Sequence, residues 1–299
     1  MFNQKIKEKY LATLTQSSFK HTVSLFEQSW RYEEKFSKDV ALFSVEELEA
    51  MFSDGGFMEP ETLRTKKGFC AVYADWYCVQ LGLAGHAVRE YDIFSFPYKD
   101  FFKNTLVLSA EELVSLVYSI YSPESAQPVI PALCMAWLGV DCADALLLER
   151  ADVKLLNDVP PAILDALNIY DNTDTAEREQ GQAFKVYAAS DGQFIKKMVS
   201  SNSKKDGKPF STRQMSALIR DFNALLDAKG ISKTLSYTNV QRSGNFYRLH
   251  QLAKSGVDVY DIRNKDLVRS VLGKSKRNHK DNMILYTAYK EIRAEAGLE

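Results

Sequence analysis

Between residues 94 and 108 the chain loses its helical rhythm. The stretch Phe-Ser-Phe-Pro-Tyr-Lys-Asp-Phe-Phe-Lys-Asn-Thr-Leu-Val-Leu lacks a 3.6-residue apolar repeat and carries a proline. A break of this kind predicts two structural units, residues 1–97 and 109–299, joined by a linker over 98–108. A chain of 299 residues can build two cores, and 45% hydrophobic with 26% charged residues excludes a disordered polymer. No apolar run reaches the roughly 18 residues of a membrane span, and the opening Met-Phe-Asn-Gln-Lys-Ile-Lys lacks a secretory core. The expectation is therefore a cytoplasmic protein with no membrane partner. Cys70, Cys78, Cys134 and Cys142 form no CxxC pair and fall in apolar stretches, which reads as reduced core thiols without a metal site. No cofactor is expected.

The formal charge of −1 conceals a split. Residues 191–299 hold 21 Lys and Arg against 11 Asp and Glu, so the first 190 residues hold 17 against 28. A basic final third suits a polyanion, because neutralising phosphates releases condensed counterions. A solvated lysine-rich surface produces the same count, and charge alone does not choose between them.

Before the break, residues 17–82 fit three or four short helices, with Ser17 and Ser18 as candidate N-caps ahead of Phe19, Val23, Leu25 and Phe26. Ser44 and Glu47 have capping-box spacing, and Asp54-Gly55-Gly56 supplies a stop. Another helix opens at Glu59-Pro60-Glu61 and runs through Trp76 to Leu81. After the break, Ser109 to Glu112 repeats the capping-box pattern, Pro160-Pro161 opens a further helix, and residues 200–208 form a polar loop with Lys204, Lys205 and Lys208.

Residues 136–153 read Ala-Trp-Leu-Gly-Val-Asp-Cys-Ala-Asp-Ala-Leu-Leu-Leu-Glu-Arg-Ala-Asp-Val. Gly139, Val140, Asp144, Leu148, Asp152 and Val153 stand at the spacing of the signature turn and helix of tyrosine recombinases, and the chain resembles that phage integrase family. More narrowly, it is similar to the integrase-fold lysogeny repressors of SPβ-like Bacillus phages. The resemblance implies a mainly α fold with a small β component (α+β): a helical core-binding, SAM-like domain followed by a catalytic-like domain. Ser18 to Val23, Thr62, Lys66, Trp76 and Gly82 would fill the first domain's motif positions.

In such enzymes an arginine at position 141 would clamp the scissile phosphate through paired N–H donors, and this chain has Asp141. A carboxylate there repels the charge it would have to stabilise. The resemblance also implies a three-stranded sheet with an essential lysine after Asp152. Only the seven residues 153–159 precede Pro160, and Lys154 is the lysine among them. Arg242 takes the second arginine position and Asn239 the histidine three residues earlier, although a second register places Asn245 opposite that arginine. An amide cannot carry a proton at neutral pH. Lys274 replaces a second histidine in Leu-Gly-Lys-Ser, and Tyr286 follows as a displaced nucleophile. Tyr286 and Tyr289 equally suit the packing of a terminal helix by their i, i+3 spacing.

Loss of several groups that act together leaves essentially no strand transfer. The implied product is a non-enzymatic, sequence-specific binder of double-stranded DNA: a phage repressor that maintains lysogeny at operator sites, nucleoid-associated in a bacterial host, with self-association on DNA left open. The alternatives are an active but atypical recombinase and an accessory DNA-bending factor. Side chains suited to phosphate contact are Lys20, Thr62, Arg64, Thr65 and Lys66 in the first domain. The second supplies Thr212, Arg213, Arg220, Thr238, Asn239, Arg242, Arg248 and Lys274.

Overall fold

The computed structural model describes residues 2–54, 59–173, 175–177, 183–187, 192–198, 210–273 and 278–298. The chain is mostly helical and separates into two compact units, Met1–Phe102 with Lys280–Ala288, and Lys103–His279 with Tyr289–Glu299.

The first unit contains α1 (Gln4–Leu11), α2 (Gln16–Phe36), α3 (Val45–Asp54), α4 (Pro60–Leu81) and α5 (Tyr98–Phe102). The described part of residues 17–82 thus holds two long helices, one of medium length and a single 3-10 turn at Val40–Leu42, not a series of short α-helices. The N-cap of α2 is Thr15, ahead of the serine pair named as candidates. Local signals set the other starts. The Ser44 N–H donates to Glu47 Oε2 at 2.7 Å while the Glu47 N–H donates back to Ser44 Oγ at 3.4 Å, and Pro60 occupies the first turn of α4, where its missing N–H costs nothing.

Tyr10, Phe26, Tyr73 and Trp76 pack in tilted, edge-on and stacked pairs with ring centroids 4.7 to 6.5 Å apart, which joins α1, α2 and α4. Beside them lies a fully buried ion pair, Lys7 with Glu33, whose carboxylate also accepts from the Val40 N–H at 2.9 Å. Burial pushes the Glu33 carboxyl up, and Lys7 opposes that shift.

The segment read as a linker is built into the two units. Tyr98 and Phe102 of α5 are buried in the first unit, and Leu106, Val107 and Leu108 are buried in the second. The Val107 N–H donates to Ser243 Oγ at 3.0 Å. Aromatic and branched side chains drive this stretch inward even though its periodicity is irregular.

The second unit contains α6 (Ala110–Tyr118), α7 (Val129–Trp137), α8 (Cys142–Ala145), α9 (Arg150–Val153) and α10 (Pro161–Asp171). Strands β1 (Thr175–Glu177), β2 (Ala183–Tyr187) and β3 (Lys197–Met198) follow, then α11 (Thr212–Ala228), α12 (Tyr237–Lys254) and α13 (Lys265–Val271). Helix α14 (His279–Glu295) is divided, with Lys280–Ala288 in the first unit and Tyr289 onward in the second. Every residue of α7 is buried, as a helix apolar on all sides requires.

The strands form an antiparallel β1-β2-β3 sheet with Thr175 opposite Lys185 and Tyr187 opposite Lys197. This sheet comes after α10, not between Asp152 and Pro160. The chain after Asp152 instead completes α9, whose capping box pairs Glu149 with Asp152, and Lys154 is its exposed C-cap residue, outside the sheet. Lys196, immediately before β3, is fully buried, and its Nζ donates to the carbonyls of Tyr170, Asp171 and Thr173 at 3.1, 3.0 and 2.7 Å. It thereby closes the C-terminal end of α10, where unpaired carbonyls favour a cation.

Candidate functional site

The signature loop of the second unit lies between the ends of two helices. Helix α7 is followed by a turn at Gly139, whose φ of +91° is strained for any residue with a side chain. An added Cβ would also stand 2.7 Å from Arg248 Nη2. Helix α12 approaches so closely that a Cβ on Gly244 would fall 1.9 Å from the Trp137 carbonyl oxygen. That approach lets α12 donate to the loop. Tyr237 Oη donates to the Val140 carbonyl at 2.9 Å. Gln241 Nε2 donates to the Gly139 carbonyl at 3.0 Å and to Asp141 Oδ1 at 3.1 Å. Burial pushes the Tyr237 phenol well up, so it stays a donor.

Asp141 is half-buried and precedes α8 as its N-cap, without a side-chain cap bond. The loop therefore presents a carboxylate oriented by an amide. Three residues before Arg242, Asn239 Oδ1 accepts from Arg242 Nη1 at 3.4 Å, and the Asn239 N–H donates to Ser236 Oγ at 3.1 Å to open α12. Arg242 is buried, at 6% exposure. Asn245, the residue of the second register, instead donates to the Leu272 carbonyl at 3.0 Å and accepts from Arg248. Arg248 Nη1 donates to the Trp137 carbonyl at 2.8 Å, so this guanidinium caps the end of α7.

Other candidates in the second unit face solvent. Thr212, Arg213 and Thr238 are exposed, as is Arg220, which lies 3.7 Å from the equally exposed Asp221. Ser211 and Gln214 form a capping box at the start of α11, which places Arg213 in the first turn. Lys274 and the lysines of the 200–208 loop lie outside the described residues.

In the first unit Lys20, Thr62 and Thr65 are exposed, whereas the cations of α4 have internal partners. Lys66 Nζ donates to Gln28 Oε1 at 2.6 Å, and Lys67 Nζ to the carbonyls of Arg89, at 3.2 Å, and Tyr91. Arg64 makes a two-pronged pair with Asp281 of α14, a residue that belongs to this unit; its Nη1 lies 3.0 Å from Asp281 Oδ2. Tyr286 is completely buried and groups with the first unit, whereas Asp141, Asn239 and Arg242 belong to the second.

Three residues that order the loop, Tyr237, Gln241 and Gly244, were not singled out from sequence. Gly244 carried a signal, since a glycine inside an 18-residue helix is costly unless backbone must approach it. Among the described residues no cluster of His, Cys, Asp and Glu could hold a metal ion, and no helix is long and apolar enough to cross a membrane.

Residues 1–80 match the family model described as MrpR, N-terminal core-binding domain, a domain of the phage integrase and tyrosine recombinase type. The match spans α1 to α3 and nearly all of α4. No curated protein matches the chain.

Proposed function

We propose that the chain binds double-stranded DNA sequence-specifically, as a repressor built on a recombinase-like frame without strand-transfer chemistry. Its similarity over residues 1–80 to an integrase-type core-binding domain supports the DNA-binding half of this reading. The observation that carries the other half is Asp141. A phosphoryl-transfer site needs a cation where negative charge develops, and here a carboxylate occupies the loop, held by Gln241.

Other residues named from the sequence favour the same reading. Asn239 supplies no titratable proton, and its carbonyl oxygen is directed to Arg242. Tyr286 is fully buried, so its phenol is withheld from a phosphodiester in solution. Thr212, Arg213, Arg220 and Thr238 of the second unit, with Lys20, Thr62 and Thr65 of the first, offer exposed contacts of the kind that position a duplex backbone.

Two measurements test the proposal. Genome-wide binding in the native host, followed by titration of the recovered sites, should show discrimination from random duplex of roughly a thousandfold or more. A DNA-bending factor would recognise shape with little such preference. A nicked suicide substrate carrying a recovered site should give no covalent adduct. An adduct that forms with the natural chain and disappears in Tyr286→Phe would establish an active recombinase.

A further inference from the structure

Arg64 has a guanidinium matched to a phosphodiester, yet the chain supplies the two oxygens itself. Asp281 receives both prongs of Arg64, and its side chain is 2% exposed while that of Arg64 remains 41% exposed. The two residues are 217 positions apart, so this is a tertiary contact and not a product of helical spacing. Arg64 differs here from Lys66 and Lys67, whose acceptors are a neutral amide and backbone carbonyls. Of these three α4 cations, Arg64 is the one paired with a group of full negative charge. Carboxylate and phosphodiester both offer a guanidinium two oxygens in the same forked geometry, so the two anions are direct competitors.

We propose that Asp281 acts as an internal phosphate mimic, occupying an anion site on Arg64 and withholding it from the DNA backbone. The proposal rests on the DNA-binding reading above. In the natural chain Arg64 then adds little to DNA affinity, and removing the Asp281 charge exposes a further phosphate contact. Asp281 therefore lowers affinity for duplexes of any sequence, since phosphate contacts carry no base information.

The test uses the full chain and a fluorescent random-sequence duplex, with binding measured by anisotropy over a salt series. Asp281→Asn should bind more tightly than the natural chain, with a salt slope steeper by about one unit, the contribution of one phosphate contact. Arg64→Ala should match the natural chain's slope, and Asp281→Asn with Arg64→Ala should lose the gain. Asp281→Ser removes the charge with a smaller side chain, so it should also tighten binding and keeps the question answerable if Asp281→Asn fails to fold. Affinity that is unchanged or weaker in folded Asp281→Asn or Asp281→Ser would overturn the proposal and make the pair a structural tie. If the natural chain binds no duplex at all, the DNA-binding reading itself is wrong.

Discussion

Replacing Gly244 by alanine tests whether close approach of α12 to α7 sets the loop geometry. The new Cβ would sit 1.9 Å from the Trp137 carbonyl oxygen and 2.7 Å from its carbon, both backbone atoms that cannot rotate away. Relief needs a retreat of about 1.5 Å to reach ordinary carbon–oxygen contact. Overpacking alone costs about 1 to 3 kcal/mol. The same retreat strains the bonds that Tyr237, Gln241 and Arg248 make to the Val140, Gly139 and Trp137 carbonyls, each contributing about 1 kcal/mol. The expected loss is about 3 to 5 kcal/mol, a large part of the stability of an ordinary domain.

Urea unfolding followed by circular dichroism measures this loss as a lower midpoint at constant slope. Gly68→Ala in α4 is the matched control. Nothing lies within 4 Å of the Cβ it adds, so it should stabilise by about 0.5 to 1 kcal/mol through helix propensity and a more restricted unfolded chain. Equal midpoints for Gly244→Ala and the natural chain would refute the proposed packing constraint.

Lys196→Met should remove the cap from α10 and leave three carbonyls without their shared cation, lowering stability by about 2 to 3 kcal/mol in the same assay. Asp75 makes the third prediction. Arg89 and then His86 hold its carboxyl down at about 2, so its contribution is present above the ordinary carboxylate range and lost as pH falls from about 4 to about 2. Because its side chain is 41% exposed, solvent screening limits that contribution to under about 1 kcal/mol. Asp75→Asn should therefore flatten the acid side of the stability profile slightly, and an unchanged profile would remove the pairing from the account.

Sequence alone determined where several helices could begin. Ser44 with Glu47, Pro60, Ser109 with Glu112, and Pro161 all act on backbone within a turn of themselves, and each opens a helix in the structure. Residue identity also placed a carboxylate at Asp141 and an amide at Asn239, because loss of a charge or a titratable proton needs no fold to be seen. The tertiary structure decided which cations remain available. Arg64, Arg242 and Arg248 look alike in the chain, yet one pairs with Asp281, one is buried beside Asn239, and one caps α7. The placement of the sheet after α10 and the burial of Tyr286 belong to that level too. Capping is satisfied within four residues, whereas a buried ring or a forked guanidinium is satisfied by whatever the fold brings beside it.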